Sequence, residues 1–262
     1  MHSQGVKIPF LAGWILILTE LGGSAWAQAV PEVRPVLPGE DAKNYHLVWS
    51  DEFDGTSVDT QKWNFRTDSK AQSTQEPGNA SVANGMLTLA LKQQSAQGKA
   101  YTGGGLISRR TFEFGYYEAR LRVPAEAGWH TSFWTQKYDG VGTNPKLSAQ
   151  ELDVIENNSA KLHGYAATVH RWAPPSRTLG SKWCPTPDLF QAFHVYGGEF
   201  TPERVRFFFD GTLVLSVDVS KEPHSEQNIW LTSIAYFNVK KGAKAVAPAA
   251  AEFDYVRFFE AK

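Results

Sequence analysis

The sequence contains almost no cysteine and no excess of positive charge. Cys184 is the only cysteine, so no disulfide can form within the chain, and its neighbours do not mark it as an activated thiol. We therefore interpret Cys184 as a structural residue. The formal net charge is −1, without the basic excess that binding to a phosphate backbone requires. We expect no nucleic-acid partner.

A long apolar run is also missing. The apolar stretch at 8–19 is shorter than the roughly 20 residues that a membrane-spanning helix needs, and Glu20 closes it. Lys7 before the stretch and the small residues that end at Ala27 are typical of a secretory signal peptide. We predict that residues 1–27 are removed and that the protein is secreted or periplasmic, with no membrane contact after cleavage.

The rest of the chain has the alternation of β-strands. Apolar residues recur at every second position in 87–91, and Asp210-Gly211 separates two alternating runs as a hairpin turn would. No segment shows a clean helical stripe. Short strands broken by Gly, Pro and Asn predict an all-β sandwich of antiparallel sheets. We expect one domain at 45–262, preceded by a Pro-rich linker at 28–44.

The most unusual segment is Glu151-Leu152-Asp153-Val154-Ile155-Glu156, with three carboxylates among apolar residues. On a strand, Glu151 and Asp153 point to one face, and strict alternation would send Glu156 to the other. A β-bulge at Val154-Ile155 returns Glu156 to the face of the first two acids. Like charges in a row destabilise a strand without a compensating role. The segment therefore indicates catalysis more strongly than a solvated surface.

Two such acids have a known chemical use. Carboxyl groups about 5–5.5 Å apart serve as nucleophile and acid/base in retaining glycosidases. Glu151 and Glu156 could form this pair, with Asp153 between them. The negative charge of Asp153 should raise the pKa of the acid, and a shared proton would hold the nucleophile in place.

The segment resembles the bulged E-x-D-x-x-E signature of glycoside hydrolase family 16. Segments along nearly the whole mature chain also resemble the family's strands, in the same order: 46–55, 79–89, 103–124, 193–214 and 253–260. The resemblance implies a β-jelly roll of two curved sheets with an open concave cleft. It also implies an endo-acting, retaining enzyme in which Glu151 is the nucleophile, Asp153 assists it and Glu156 is the acid/base.

Substrate contacts are predicted with alternatives left open. The resemblance matches Asn79 to a cleft asparagine and Trp129 and Trp134 to aromatic platforms. Trp172, in the HRW segment, is either a sugar contact or a core residue, and Trp129 has the same two interpretations. His170 either binds a sugar hydroxyl or has a structural role.

The resemblance also implies a structural calcium ion. Glu52, Gly85 and Asp254 match family positions that supply a carboxylate, a backbone carbonyl and a second carboxylate, which are ligands that calcium prefers. Ordinary surface acids are the alternative. We expect no cofactor for catalysis and a monomer as the state of the protein.

Some positions depart from laminarin-cleaving members of the family. His130-Thr131 stands where they usually have Pro-Ala, Ile155 replaces Met and Phe200 replaces Trp. These differences leave the chemistry intact but make the substrate an open question. The default polysaccharide is β-1,3- or mixed β-1,3/1,4-glucan.

An agarase, a carrageenase or another galactan hydrolase is the alternative, and sulfated substrates would need cations in the cleft. The candidates for these cations are Arg109, Arg110, Arg171 and Arg177. A transglycosylase is also compatible with the motif. A carbohydrate-binding jelly roll without catalysis is less compatible, because a binder gains nothing from three crowded carboxylates.

Overall fold

The structure is a computed structural model that describes residues 33–138, 140, 148–161 and 163–262. The predicted signal peptide at 1–27 lies outside the described residues, as does the first part of the predicted linker. Within the described residues, no helix combines the length and the apolar character needed to cross a membrane.

The described residues form almost entirely β-strands. Their bounds are β1 Tyr45–Asp51, β2 Trp63–Phe65, β3 Ser69–Lys70, β4 Ser73–Gln75, β5 Ala80–Ala83, β6 Met86–Leu91, β7 Tyr101–Phe112, β8 Gly115–Arg122, β9 Trp129–Gln136, β10 Gln150–Asn158, β11 Gly164–Arg171, β12 Arg177–Pro185, β13 His194–Phe200, β14 Arg204–Phe209, β15 Thr212–Asp218, β16 Gln227–Ala235 and β17 Ala249–Ala261. Short 3-10 turns occur at Gly39–Asn44, Pro77–Asn79 and Val239–Lys241.

The strands form two sheets. The eight-stranded sheet has the order β15-β14-β13-β8-β17-β6-β5, with β1 paired to β17. The nine-stranded sheet has the order β12-β11-β10-β9-β16-β7-β4-β3, with β2 paired to β7. All described pairings are antiparallel except β4 with β7, which is parallel. The predicted all-β sandwich is confirmed, with this one parallel pair as a departure.

The core lies between the two sheets and follows the predicted alternation. Leu87 and Leu89 of β6 and Leu152 of β10 have no exposed surface and belong to one buried cluster. Val154 of β10 belongs to the same cluster, and its side chain would lie 3.0 Å from a Cβ on Gly198 of the other sheet. Each such side chain removes apolar surface from water, which is the main favourable term in folding.

The hairpin predicted at Asp210-Gly211 is present between β14 and β15. Both residues have positive φ, at 45° and 76°, as a two-residue turn of type I′ requires. Glycine at the second position adopts this conformation without steric cost.

The predicted linker is wrong for its described part. The backbone N–H of Val36 donates to Glu118 Oε2 at 2.6 Å, and Tyr116 Oη donates to the Val36 carbonyl at 3.3 Å. Leu37 packs against a second buried cluster, and the compact unit begins at Val33. The proline content suggested a linker, but these residues cover the eight-stranded sheet through contacts with β8.

Candidate active site

A β-bulge in β10 places the three acids on one face of the nine-stranded sheet. Opposite β11, Asp153 pairs with Thr168 and Glu156 pairs with Ala166, so three steps on β10 match two on β11. Opposite β9, the irregularity falls between Asp153 and Ile155. The bulge at Val154-Ile155 is confirmed, and both of its branched side chains are buried in the core between the sheets.

The face that carries the acids forms the floor of a cleft, which we call the cleft face. A cavity of about 230 Å³ lies over it. Alternate residues of β9 line this cavity, because successive side chains of a strand point to opposite faces. The lining residues are Arg66, Lys70, His130, Ser132, Trp134, Gln136, Glu151, Asp153, Glu156, Trp172, Thr232 and Ile234.

Two neutral hydrogen-bond donors hold the carboxylate of Glu151. Trp172 Nε1 donates to Glu151 Oε2 at 3.0 Å, and Gln136 Nε2 donates to the same oxygen. Burial and, less strongly, the charge of Glu156 raise the pKa of Glu151 to about 7, against the lowering effect of the Trp172 hydrogen bond. The two donors fix the carboxylate in one orientation, as an attacking group requires.

Asp153 is the most deeply buried of the three acids. Burial raises its pKa well above the ordinary value, and the charges of Glu156 and Glu151 act in the same direction. A hydrogen bond links the carboxyl groups of Asp153 and Glu151; it raises the pKa of Asp153 and lowers that of Glu151. These two directions favour the proton of the pair on Asp153, with Glu151 as the acceptor. The hydrogen bond between the two acids is the kind of contact that the sequence predicted would hold the nucleophile in place.

Glu156 has a partner that the sequence did not reveal. His130 Nε2 lies 3.1 Å from Glu156 Oε1. Burial raises the pKa of Glu156, but the hydrogen bond and charge of His130 and the charge of His170 outweigh it, so the pKa is lowered. The expectation that Asp153 raises the pKa of the acid is wrong, because the contacts with the two histidines outweigh burial and lower the pKa of Glu156.

His170 lies directly opposite Glu151 in the β10–β11 register. Its Nε2 is 3.4 Å from Asp153 Oδ2, and its Nδ1 is 3.2 Å from Thr178 Oγ1. Burial lowers the pKa of His170, against the raising effect of the Glu156 charge. Both ring nitrogens thus face protein groups, so the structure favours the structural interpretation of His170 over the sugar contact.

Trp134 and Trp172 line the cavity as predicted. The Trp134 ring stacks on Trp230 with centroids 4.8 Å apart, and its Nε1 donates to Thr232 Oγ1 at 3.1 Å. Trp172 stacks on His170 at 5.5 Å. These stacked neighbours hold both rings in place beside the three acids.

The sugar-contact interpretation is wrong for Trp129, for which the core interpretation holds, and Asn79 does not line the described cavity. Trp129 is completely buried, and its Nε1 donates to the Val246 carbonyl at 2.7 Å. Trp129 and Trp134 are five residues apart on one strand, so alternation puts them on opposite faces. Asn79 is also buried. Its side-chain amide donates to the Gly103 carbonyl at 2.9 Å, so this donor is used in a contact within the protein.

The predicted calcium ligands do not fit a metal site in this structure. Both carboxylate oxygens of Glu52 accept from Arg257, at 2.9 and 2.7 Å. Asp254 accepts from Arg120 at 2.5 Å. Gly85, with φ of +72°, lies in the turn between β5 and β6. Because each carboxylate already neutralises an arginine, the structure does not support the calcium prediction.

One cluster of described residues has ligand atoms close enough for a metal ion. Single atoms of Glu151, Asp153 and His170 lie within 4.8 Å of one another. Each of these groups already takes part in the contacts of the acid pair. The cluster therefore consists of contacts that the catalytic acids and His170 already make with one another.

The four arginines named for sulfated substrates do not line the described cavity. Arg171 and Arg177 both pair with Glu222, at 2.8 and 2.6 Å. Arg109 donates to the Thr60 carbonyl at 2.7 Å, and Arg110 lies 3.8 Å from Glu260. Their places in the sequence could not reveal these partners.

Two other cations line the cavity instead. Arg66 is buried, donates to both carboxylate oxygens of Asp68 at 2.6 and 3.0 Å, and lies over the Trp230 ring at 5.7 Å. Lys70 is exposed, and its charge lowers the pKa of Glu151. Both come from short segments that carry no recognisable motif, which explains why sequence reasoning missed them.

Comparison with known proteins identifies the family of this chain. The model of the family described as "Beta-porphyranase A-D, GH16 domain" matches residues 45–259. The chain belongs to glycoside hydrolase family 16. It is 28% identical over 255 residues to a β-glucanase of Rhodothermus marinus, covering 84% of this chain and 87% of the relative. It is 26% identical over 277 residues to the κ-carrageenase of Pseudoalteromonas carrageenovora, covering 89% and 69%.

Solved structures show the same fold. The endo-β-1,3-glucanase from Pyrococcus furiosus superposes with a TM-score of 0.73 at 23% identity, covering 89% of this chain and 99% of that one. The β-jelly roll is thus confirmed. This family 16 member is an endo-acting retaining glycosidase, and the glucanases of the family need no catalytic cofactor.

Proposed function

We propose that the enzyme cleaves internal β-linkages of a galactan that carries acidic substituents. The single observation that carries this substrate class is Lys70, an exposed cation that lines the cavity beside Glu151. The family model that matches most of the chain is the one named for β-porphyranases, and a κ-carrageenase is among its relatives. These names agree with a galactan substrate.

Lys70 has the chemistry that an anionic substituent needs. Arg66 gives both of its short hydrogen bonds to Asp68, so its charge is already compensated inside the wall of the cleft. Lys70 stands in an exposed two-residue strand and lines the same cavity. An ammonium group exposed in a cleft attracts a sulfate or carboxylate of the substrate and adds little for a neutral glucan.

The proposed catalytic cycle uses the three acids in separate roles. Glu151, ionised and oriented by Trp172 and Gln136, attacks the anomeric carbon while the glycosidic bond breaks. The His130–Glu156 pair shares a proton between Nε2 and Oε1, and Glu156 delivers it to the leaving oxygen. Glu156 then removes a proton from the water that hydrolyses the glycosyl–Glu151 intermediate.

A β-1,3- or mixed β-1,3/1,4-glucan is the second candidate substrate. The β-glucanase of Rhodothermus marinus is a relative across 84% of this chain. The Trp134 and Trp172 rings that line the cavity would serve a neutral glucan equally well, because stacking on a sugar face requires no charge. Lys70 is the feature that separates the two candidates.

A polysaccharide panel with a Lys70 variant tests the proposal. Reducing ends are measured with porphyran, κ-carrageenan, agarose, laminarin and mixed-linkage glucan, each sulfated polymer also in desulfated form. We expect the highest kcat/KM on a sulfated galactan, and Lys70→Gln should lower it about tenfold there but little on the desulfated polymer. Lys241→Gln, at an exposed lysine outside the cavity, is the matched control. Preference for laminarin, unaffected by Lys70→Gln, would establish the glucan candidate instead.

We also propose that the enzyme is exported and acts as a monomer. Support comes from the signal-peptide pattern that ends at Ala27. The intact mass of the mature protein should correspond to a chain that begins at Gln28, and light scattering should give the mass of one chain. Retention of residues 1–27 on a membrane-bound product would contradict the export proposal.

A further inference from the structure

Trp183 is an exposed ring on the same face of the sheet as the catalytic acids. It is 44% exposed, the largest exposure of any tryptophan among the described residues. In the register of the nine-stranded sheet, Glu156 pairs with Ala166 of β11, and Ala166 pairs with Trp183 of β12. Residues paired across neighbouring strands point to the same face. Trp183 therefore belongs to the row that contains Glu156.

Neighbouring contacts confirm which face this is. Thr168 Oγ1 lies 3.0 Å from Ser181 Oγ, so the residue two before Trp183 meets the residue that pairs with Asp153. Cys184, the next residue after Trp183, is buried in the core between the sheets. Trp183 thus points away from the core and onto the cleft face.

The Trp183 ring rests on the backbone of β11 at Gly164. A Cβ on Gly164 would meet Cζ2 of the ring at 2.6 Å and Cε2 at 2.8 Å. Only the absence of a side chain at this position lets the ring rest on the strand. Ala166, the residue between Trp183 and Glu156, is also small. The side chain that lies between Glu156 and Trp183 in this row is therefore a single methyl group.

We infer that Trp183 is an outer sugar-binding platform of the cleft, on the opposite side of β10 from Trp134. The Cα atoms of Glu156 and Trp183 are two strand spacings apart, or roughly 10 Å. A sugar chain laid across the strands with one ring at the acids would bring a later ring over Trp183. This inference rests on polysaccharide binding in the cleft, and not on which polysaccharide is bound.

The chemistry of the ring suits this role. The apolar C–H face of a pyranose packs on an aromatic ring, which removes apolar surface from water on both sides. Lys161 Nζ lies 5.2 Å from the centroid of the Trp183 ring. Its long flexible side chain can move aside for a sugar and bind a hydroxyl or an acidic substituent beside the ring.

Trp183→Ala and Trp183→Phe, assayed on whichever polymer the wild type cleaves, test the platform. We expect Trp183→Ala to lower kcat/KM on the polymer roughly tenfold, mainly through KM. The loss should shrink as the substrate is shortened, and the chain lengths of early products should shift. Trp183→Phe keeps a ring and should retain most of the wild-type efficiency. Leu213→Ala, at a residue 49% exposed on the other sheet, is the matched control.

Two results would overturn the platform. One is a Trp183→Ala variant with kcat/KM within about twofold of wild type on the polymer and the same products. The other is an equal loss on long and short substrates together with a lowered thermal midpoint, which would make the ring a structural support for β12. A wrong choice of galactan over glucan would appear in the polysaccharide panel and leave this comparison intact.

Discussion

At the scale of single residues, Glu151 and Glu156 share a strand face but have different partners. Glu151 accepts from Trp172 and Gln136 and has a hydrogen bond with Asp153, whereas Glu156 meets His130. These surroundings raise the pKa of Glu151 and lower that of Glu156, so the roles of nucleophile and acid/base come from the family resemblance and not from the pKa values of the free enzyme.

Substitution of each glutamate should distinguish these roles. Glu156→Ala should lose about 10²–10⁴-fold in rate on the natural polymer, but little on substrates with activated leaving groups, and azide should restore turnover. Glu151→Ala should be almost inactive on both substrates, because no covalent intermediate can form. Proton NMR of the first product should show retention of the β-configuration. Net inversion would mean that water, and not Glu151, makes the attack.

His130 should set the alkaline limb of the pH–activity profile. Its hydrogen bond and charge lower the pKa of Glu156, and the acid must carry a proton to assist the leaving group. His130→Ala should raise the pKa of Glu156 and move the alkaline limb of kcat/KM to higher pH. The control is His163→Ala, at an exposed histidine paired with Asp188. An alkaline limb that stays in place would show that His130 does not govern the protonation of Glu156.

At the scale of elements, β8 buries an acid that the catalytic mechanism does not use. Glu118 is fully buried in the eight-stranded sheet and accepts from the Val36 N–H at 2.6 Å. Burial raises its pKa to about 7, although this hydrogen bond and the charge of Arg257 lower it in part. The folded state therefore holds a proton on Glu118 more tightly than the unfolded state does.

Glu118→Gln should remove part of the pH dependence of stability. For an acid with a raised pKa, stability present at low pH is lost as the pH rises through the folded pKa, here about 7. The wild type should lose up to about 3 kcal/mol of unfolding free energy from this group as the pH rises from acidic to mildly alkaline. Denaturant unfolding across that range, with Glu203→Gln as an exposed control, measures the difference. Parallel curves for wild type and Glu118→Gln would contradict this account.

At the scale of the whole molecule, ion pairs take the place that the family resemblance gives to calcium. Arg257 holds Glu52 and Arg120 holds Asp254, each joining β17 to a neighbouring segment. We expect the thermal midpoint to be the same in excess chelator and in added calcium, because these carboxylates are already neutralised. A midpoint that falls on chelation and recovers with calcium but not with magnesium would restore the calcium site.

The strands and the acid row could be predicted because their cause is local. Side chains of a strand alternate between the two faces, which predicts the buried residues of β6 and β10. The bulge is the local change that returns Glu156 to the face of Glu151. The same rule applied to β9 puts Trp129 and Trp134 on opposite faces of the sheet, so they cannot both point into the cleft. Family resemblance then supplied the roles of the acids, which spacing alone does not assign.

The sequence by itself determined the all-β sandwich, the bulged strand and the three acids on one face, because each depends on residues close together in the chain. Only the tertiary structure decided that His130 meets Glu156, that Gln136 meets Glu151 and that Trp183 lies in the row of Glu156. These contacts depend on the register between strands, which is set by packing of the whole core. A one-residue change in that register would turn each of these side chains to the opposite face.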